Sequence, residues 1–352
     1  MLNIDDLIID ENLSVFEAMK KLDETGRRIL FVAPGGALKG VLTDSDVRRF
    51  ILRGGSLSLP VSNMANYSPK SLPVEQRARA KEFLSCNSID AVPILNKQGV
   101  MVDIAFSNET DDVVTKKQLH LPVVIMAGGL GTRLYPYTKI LPKPLIPVGE
   151  SPILELVIQN FYDFGCTDFT VLVNHKKNMI KSYFSDIEKD YALSFIDEDK
   201  PLGTGGGLCL IKGKMQETFF LTNCDILIDA DYADMIKFHK KNGNAVTLVC
   251  AMKHFTIPYG VVELEKDGSY KRCAEKPQMD LLTNAGMYVV EPSVVEQIQD
   301  GVYQGFPDII DQCRARGEKV GVYPVSDGSW MDMGQLKELE KMRTRMETEP
   351  GC

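Results

Sequence analysis

The sequence predicts an α/β fold with a mostly parallel mixed sheet, preceded by a smaller α/β region. After residue 120, short apolar segments alternate with amphipathic segments of helical length, which is typical of a parallel sheet covered on both faces. Before that point the chain contains an internal repeat of about sixty residues. At 352 residues, the chain is long enough for two domains.

The repeat occupies the beginning of the chain. Its first copy starts a helix at Ser14, where Glu17 three residues later predicts a capping box. The second copy follows a similar order of elements. The predicted elements are a helix from Ser14, strands at 29–33 and 40–42, a helix from Ser45, a helix at 74–84, and strands at 91–95 and 100–104.

A polar and charged segment, residues 108–120, separates the two regions. Segments of this composition are typical of linkers between domains. We therefore predict an N-terminal domain at 1–110, a linker at 111–120 and a larger domain at 121–352.

The region after the linker alternates between buried strands and helices. Ligands of such sheets bind beyond the carboxyl ends of the strands, which is where Gly128 falls. The predicted elements are strands at 123–127, 169–174, 219–223, 245–251 and 260–264, and helices at 152–164, 176–189 and 231–241.

The segment GGLGTR at 128–133 is a glycine-rich loop that follows the first of these strands. Because glycine has no Cβ, backbone amides in such a loop can approach phosphate oxygens closely. Arg133 and Lys143 add two cations, and prolines on both sides of Lys143 restrict the backbone there. The dinucleotide fingerprint does not fit, since Leu134 occupies the third glycine position, and no Walker lysine follows. The segment predicts a polyphosphate site.

This loop, together with Pro-Lys-Pro at 142–144, resembles the sugar-1-phosphate nucleotidyltransferases, also called nucleoside-diphosphate-sugar pyrophosphorylases. The resemblance implies a Rossmann-like sheet of the GT-A type. It also implies an enzyme that transfers a nucleotidyl group from a nucleoside triphosphate to a sugar-1-phosphate and releases pyrophosphate. The catalytic residues that it implies are Arg133, Lys143 and Asp225.

Two aspartates are candidates for a metal site. Asp225 lies at the carboxyl end of a predicted buried strand, and Asp332 lies in Trp-Met-Asp-Met-Gly at 330–334. Hard cations take oxygen ligands, and the resemblance implies that both carboxylates hold Mg²⁺. Taken alone, each aspartate is also typical of a turn or a helix cap.

The resemblance further implies the residues that contact substrate. Leu-Gly-Thr-Gly-Gly-Gly at 202–207 is a second glycine loop, whose flat backbone would read the nucleobase, although surface turns have similar composition. Lys276 would hold the phosphate of the sugar phosphate, and Glu275 would contact the sugar. The implied substrate-binding residues are Gly128, Gly129, Gly131, Thr132, Gly203, Thr204, Gly205, Gly260, Glu275, Lys276, Asn284 and Gly286.

The repeat before the linker resembles a pair of CBS domains, which fold together as one regulatory (Bateman) unit. Gly-Val-Leu-Thr-Asp-Ser-Asp at 40–46 matches the ribose-phosphate segment of that family, so an adenine nucleotide would bind at Thr43 and Asp46. These two residues fit a simple helix cap equally well. The second copy lacks the motif at 100–104. CBS pairs also serve for dimerisation, and a homodimer through this pair is the expected assembly.

The arrangement of a CBS pair before the transferase region is similar to guanylyltransferases of bacterial legionaminic acid pathways, which use GTP and glucosamine-1-phosphate. The resemblance therefore favours those substrates. Mannose-1-phosphate and a heptose phosphate remain alternatives. A nucleotide-sensing or assembly protein that binds without turnover is the alternative from another class.

Composition excludes other classes of function. The net charge of -8 does not suit a nucleic-acid-binding surface. We expect no signal peptide and no membrane span, because the N-terminus is acidic and apolar runs are short. The eight cysteines are scattered, which is typical of reduced thiols in a cytoplasmic protein. Among them, Cys224 beside Asp225 is interpreted as a small buried filler.

Overall fold

The computed structural model describes residues 4–87, 89–107 and 118–348, and the side chains as far as residue 344. The chain divides into two compact units. The first contains Met1–Thr115, Met252–Leu282 and Ser326–Gly328, and the second contains Lys116–Ala251, Thr283–Val325 and Ser329–Cys352. Most of the predicted linker, residues 111–117, lies outside the described residues.

Strands and helices are numbered in chain order. The strands are β1 Ile8–Ile9, β2 Ile29–Val32, β3 Gly40–Thr43, β4 Leu72–Pro73, β5 Ala91–Leu95, β6 Met101–Phe106, β7 Val123–Ala127, β8 Pro147–Val148, β9 Ser151–Pro152, β10 Asp168–Val173, β11 Ala192–Asp197, β12 Phe219–Asn223, β13 Ile226–Ile228, β14 Val246–Thr256, β15 Val261–Leu264, β16 Tyr270–Ala274, β17 Gln278–Val290, β18 Val320–Val325 and β19 Trp330–Asp332. The helices are α1 Val15–Thr25, α2 Asp44–Leu52, α3 Ala80–Asn87, α4 Tyr137–Ile140, α5 Ile153–Tyr162, α6 Lys177–Ser185, α7 Gly203–Gly206, α8 Tyr232–Asn242, α9 Pro292–Glu296, α10 Phe306–Ala315 and α11 Leu336–Thr348.

The N-terminal part of the first unit has the same topology twice. In one three-stranded sheet β1 pairs parallel with β2 and β2 antiparallel with β3, and in the other β4, β5 and β6 pair in the same way. The predicted capping box starts α1, because Ser14 Oγ accepts from Glu17 N at 3.2 Å. The internal repeat predicted from sequence is therefore visible in the pairing of the strands.

The second unit contains a seven-stranded sheet in the order β11-β10-β7-β12-β17-β14-β18. Strands β11, β10, β7 and β12 run parallel, and β17 pairs antiparallel with β12. Strand β7 lies inside the sheet between β10 and β12 and is mostly buried, as its unbroken apolar run predicts. The mostly parallel mixed sheet of the sequence prediction is confirmed.

Apolar side chains fill both faces of this sheet. One core packs α5, α6 and α8 against it through residues such as Phe161, Phe184 and Tyr232. The other core packs α9 and α10 through residues such as Val294 and Phe306. Helices on both faces leave the carboxyl edge of the parallel strands available for a site.

Helix and strand boundaries differ modestly from the sequence prediction. The helix predicted at 74–84 is instead a 3₁₀ turn at Val74–Arg79 followed by α3. Strand β14 extends five residues beyond the predicted end at 251, and these five residues belong to the first unit.

Within the described residues, none of the helices has both the length and the apolar character needed to cross a membrane.

Candidate active site

The candidate site begins where two neighbouring parallel strands end. Strands β7 and β12 are paired up to Met126 and Asn223. The glycine loop therefore leaves the sheet beside the segment that carries Asp225. Sequence places these segments almost a hundred residues apart, and the register of the sheet brings them together.

Lys143 and Asp225 form an ion pair at this edge. Lys143 Nζ donates to Asp225 Oδ2, and their side chains are only 13% and 9% exposed. A 3₁₀ turn at Lys143–Leu145, entered through Pro142, directs the lysine into the site. Removing one partner of such a buried pair leaves an uncompensated charge, at a cost of ~3–5 kcal/mol.

Asp332 lies next to this pair. Strand β19 pairs antiparallel with β13 so that Asp332 faces Ile226, and Met333 N donates to Asp225 O at 2.9 Å. Burial raises the pKa of Asp332, and the neighbouring Asp225 charge raises it further. The structure thus brings together the two carboxylates that the sequence prediction paired.

Arg133 approaches the same carboxylate. Gly334 N donates to Asp332 Oδ1 at 2.7 Å, and a Cβ built on Gly334 would lie 2.9 Å from that oxygen and 3.4 Å from Arg133 Nη2. The charges of Arg133 and Lys143 lower the pKa of Asp332, although burial and Asp225 act in the opposite direction more strongly. Two cations and two carboxylates therefore share one edge of the sheet.

A divalent cation fits these two carboxylates chemically. The Asp225 charge contributes to the raised pKa of Asp332, and a cation held by these oxygen ligands would relieve that repulsion. Among the described residues, no cluster of three or more His, Cys, Asp and Glu side chains has the geometry of a metal site. Asp225 and Asp332 can therefore supply part of a coordination shell, with the remaining ligands left to substrate oxygens and water.

The glycine loop is shaped by tight packing at one position. Gly131 has φ +65°, and a Cβ there would lie 2.8 Å from Thr138 Cγ2 and 3.2 Å from Lys143 Cβ. Thr138 Oγ1 donates to Gly131 O at 2.8 Å. By contrast, a Cβ on Gly129 would meet no atom within 4 Å. Gly131 closes the loop onto the lysine segment, and the Gly129 backbone faces open space.

Glu198 is a site residue that the sequence analysis missed. A Cβ on Gly128 would lie 2.9 Å from its Oε2, and a Cβ on Gly207 would lie 1.9 Å from its Oε1. Glu198 is only 8% exposed, and burial raises its pKa to about 6. Its position directly after β11 was the available indication, but that strand was not predicted.

The second glycine loop differs from its expected shape. The expectation of a flat loop was wrong, because Gly203–Gly206 is a helical turn. Cβ atoms on Gly203 and Gly205 would lie 2.5 Å and 2.7 Å from the carbonyls of Gln304 and Gly305. Thr204 Oγ1 accepts from Phe306 N at 3.1 Å. These glycines therefore allow close helix packing, in addition to any role in binding a base.

Asn284 and Gly286 lie beside the end of β12. A Cβ on Gly286, which has φ +79°, would lie 2.4 Å from Asn223 Nδ2. Asn284 Oδ1 accepts from Gly286 N at 3.0 Å, and Asn284 Nδ2 donates to Tyr288 Oη at 2.8 Å. The two predicted residues thus adjoin the strand that leads to Asp225.

The remaining predicted substrate residues belong to the first unit. Strands β15 and β16 form an antiparallel hairpin, and Gly260 before β15 and Glu275 after β16 both lie at its open end. A Cβ on Gly260 would lie 3.1 Å from Glu275 Oε2. Lys276 is exposed and has φ +43°, a left-handed conformation that a lysine rarely adopts.

Thr43 and Asp46 form a capping box at the start of α2. Thr43 Oγ1 donates to Asp46 Oδ2 at 2.7 Å, and Asp46 N donates to Thr43 Oγ1 at 3.3 Å. Arg49 pairs with the same aspartate. The helix-cap interpretation of these residues is therefore realised in the structure.

Cys224 is inert where it lies. It is buried, and burial raises the pKa of its thiol to about 12, with a further contribution from the Asp225 charge. A thiol with such a pKa is not a nucleophile near neutral pH. This agrees with its interpretation as a small buried filler.

Comparison with known proteins places the site in a family. Residues 122–349 match the family described as nucleotidyl transferase. The chain belongs to the nucleotidyl transferase family. The match includes the glycine loop, Lys143, Asp225 and Asp332, and leaves the repeat region outside.

Curated relatives and solved structures agree with this family. The chain is 33% identical over 229 residues to a mannose-1-phosphate guanyltransferase of Pichia angusta, covering 61% of each chain. It is 33% identical over 225 residues to a mannose-1-phosphate guanylyltransferase catalytic subunit beta of Drosophila pseudoobscura pseudoobscura. That match covers 61% of this chain and 60% of the relative, so the chain spans less than two thirds of either relative's length.

The fold of the transferase region is also found in HddC from Yersinia pseudotuberculosis, with a TM-score of 0.51. That comparison covers 64% of this chain and 99% of HddC, at 23% sequence identity. It therefore supports the nucleotidyl transferase fold alone.

Proposed function

We propose that this protein is a sugar-1-phosphate guanylyltransferase, which joins GTP and a sugar-1-phosphate to give a GDP-sugar and pyrophosphate. The observation that carries the proposal is the Lys143–Asp225 pair, with Asp332 and Arg133 beside it, at the carboxyl edge of the parallel sheet. The glycine loop that opens next to this pair suits a triphosphate. Retention of all four charged residues argues against a protein that only senses nucleotide.

Neutralisation of charge is the main requirement of this reaction. An ionised phosphate oxygen of the sugar phosphate attacks the α-phosphorus of GTP, the bond to the β-phosphate oxygen breaks, and pyrophosphate leaves. Both reactants are anions, so positioning and charge neutralisation supply most of the catalysis. Arg133 stabilises charge on the departing pyrophosphate, and Lys143 binds the triphosphate. No general base is needed, because the attacking phosphate is already ionised near neutral pH.

Asp225 and Asp332 are the proposed ligands of a divalent cation, with Mg²⁺ as the expected ion. The two carboxylates would hold this ion, which would supply neutralisation of phosphate charge when bound. Lys143 donates to Asp225 in the structure and shifts to phosphate oxygens when GTP binds.

Glu275 and Lys276 are the proposed ligands of the sugar phosphate, by resemblance to the family. The left-handed backbone of Lys276 supports this assignment. A strained non-glycine residue persists only where its surroundings hold it, and such residues cluster at functional sites. Gly260, Asn284 and Gly286 are further proposed substrate-binding residues, by the same resemblance.

Glu198 supports guanine as the base. A buried carboxylate accepts hydrogen bonds from two adjacent donors, and the N1–H and N2–H₂ groups of guanine present such a pair. Adenine and the pyrimidines lack this pair of donors. The guanylyltransferase names of the relatives support the same choice.

The sugar is proposed to be glucosamine-1-phosphate, because the Glu275 carboxylate would pair with its ammonium group. Mannose-1-phosphate is the second candidate, since both relatives are named for it.

For the N-terminal repeat we propose a CBS pair that dimerises the chain and takes an adenine nucleotide at Thr43 and Asp46. The duplicated topology supports this proposal.

Pyrophosphate release is the direct test. We expect GTP to outperform ATP, UTP, CTP and dTTP with either glucosamine-1-phosphate or mannose-1-phosphate, and EDTA to abolish the reaction. Asp225→Asn should lower kcat by at least about a hundredfold, because it removes a charged ligand. Asp231→Asn is the matched control, since Asp231 caps α8 and asparagine caps equally well. If no pair of substrates released pyrophosphate, the proposal would be wrong.

A further inference from the structure

A closed ring of four contacts lies at the base of the hairpin in the first unit. His254 Nδ1 is hydrogen-bonded to Asp280 Oδ1 at 2.7 Å, and Leu57 N donates to Asp280 Oδ2 at 3.0 Å. Phe16 N donates to Leu57 O at 3.0 Å. The Phe16 ring then stacks on the His254 ring, with centroids 4.1 Å apart and planes at 27°.

The ring joins two parts of the sequence that lie far apart. Phe16 belongs to α1, and Leu57 follows α2, so both are part of the N-terminal repeat. His254 lies near the end of β14, and Asp280 lies near the start of β17. Each of the four residues contacts two others. Asp280 uses one carboxylate oxygen for His254 and the other for Leu57.

Burial strengthens the two hydrogen bonds made by Asp280, whereas the Phe16 side of the ring is more open, at 37% exposed. Leu57 is 1% exposed, and the side chains of His254 and Asp280 are 11% and 21% exposed. Hydrogen bonds to a charged carboxylate in such surroundings are stronger than those on an open surface. Loss of the Asp280 carboxylate would break two of the four contacts and leave the Leu57 amide without this acceptor.

The ring lies close along the chain to the proposed sugar-phosphate ligand. Further along the same two chain segments, Ile257 N donates to Pro277 O at 3.0 Å. Pro277 directly follows Lys276, whose φ of +43° has to be held by its surroundings. The backbone that sets the direction of the lysine is therefore anchored a few residues away.

We propose that Asp280, His254, Phe16 and Leu57 are positioning residues, which hold the Glu275–Lys276 segment in the conformation that binds the phosphate of the sugar phosphate. Through them the N-terminal repeat controls the affinity for one substrate, because α1 and the segment after α2 supply half of the ring. This inference rests on the proposed function. It predicts a selective effect, since no residue of the ring belongs to the glycine loop or to the Lys143–Asp225 pair.

Steady-state kinetics of the full chain separates this role from a purely structural one. Asp280→Ala and Phe16→Ala should each raise the KM for the sugar phosphate about tenfold and leave the KM for GTP within about twofold. Asp280→Asn should restore the affinity, since its amide can accept from Leu57 N and donate to the imidazole. The matched control is Asp103→Ala, which removes a carboxylate that pairs with Arg77 in the same unit.

The double variant tests whether the four contacts act as one ring. Because either single change opens the ring, Phe16→Ala with Asp280→Ala should be no worse than the poorer single variant. Equal KM values for wild type and Asp280→Ala would overturn the proposal. A fall in kcat with both KM values unchanged would also overturn it, because a smaller fraction of folded enzyme produces that result.

Hydrogen exchange provides a readout that does not depend on catalysis. Without any substrate, amides of residues 257–277 should exchange faster in Asp280→Ala than in wild type or Asp103→Ala. If the wild type releases no pyrophosphate with any substrate pair, the proposed function fails, and the exchange rates still decide whether the ring holds the hairpin. Unchanged exchange would show that it does not.

Discussion

In the proposed function, Glu198 serves guanine binding at the expense of stability. Its carboxylate is buried between the two glycine segments, and burial raises its pKa to about 6. A carboxyl group with a raised pKa in the folded state destabilises the fold at pH values above that pKa, where it is ionised. Removing the charge should therefore stabilise the free protein while weakening guanine binding.

The variant Glu198→Gln tests this balance. From the ordinary value of 4.5 to about 6, the shift corresponds to about 2 kcal/mol at pH 8. We expect Glu198→Gln to be more stable than wild type by up to that amount at pH 8, with the difference declining as pH falls from 6 to below 4.5. Urea unfolding at several pH values measures it.

The same variant should raise the KM for GTP about tenfold, because a glutamine offers guanine only one acceptor oxygen. Asp197→Asn, one residue earlier, is a less buried control whose carboxylate pairs with Lys177 and Lys181. Equal stability of Glu198→Gln and wild type at pH 8 would show that the carboxylate is not held in the unfavourable environment described here.

At the scale of an element, the glycine loop after β7 combines two kinds of glycine. Gly131 has a positive φ and no room for a Cβ, whereas a Cβ at Gly129 meets no neighbour within 4 Å. The first glycine is required by the fold of the loop, and the second is free for approach of a ligand. Sequence alone does not distinguish them, because both are the same residue in the same motif.

Alanine substitutions should separate these two roles. Gly131→Ala should lower the free energy of unfolding by about 1–2 kcal/mol, because it adds left-handed strain and a clash with Thr138. Gly129→Ala should change it by less than about 0.5 kcal/mol. It should instead weaken GTP binding, since in the proposed function its Cβ would stand where phosphate oxygens approach. Urea unfolding and GTP titration together would check both. Similar stability of the two variants would contradict this division.

At the scale of the whole molecule, the two units do not follow the chain in a simple order. The sequence predicted a boundary at the linker, and the compact first unit also contains Met252–Leu282 and Ser326–Gly328. Met252 lies in the core of the N-terminal repeat, and Ser326 Oγ donates to Asp23 Oδ1 at 2.6 Å. A cut at the linker would therefore remove the partners of a segment much later in the chain.

A chain that starts at residue 118 should show this dependence. Without the repeat, Met252, His254 and Asp280 lose the partners described above, so we expect a lower melting temperature and a tendency to aggregate. We also expect a loss of affinity for the sugar phosphate that exceeds the loss for GTP. Differential scanning calorimetry and kinetics measure these effects. A truncated chain as stable and as active as the full one would show that the repeat is an independent domain.

Most of the fold was predictable because its determinants are local. The alternation of buried strands and amphipathic helices, the capping box at Ser14 and the glycine loop after β7 all depend on neighbours in the chain. The less regular elements, such as β11, were missed because their alternation is weak and one face is half exposed. The helical form of Gly203–Gly206 depends on packing against Gln304 and Gly305, which no local pattern reveals.

The sequence by itself predicted the family and the glycine loop with its charged residues, because spacing within a motif is a property of the chain. The tertiary structure decided which of these residues meet: Lys143 with Asp225, Asp332 beside them, and Glu198 between two glycines. It also decided that the later hairpin belongs with the N-terminal repeat. Those facts depend on strand register and on packing between distant segments, where the chain's own order carries no information.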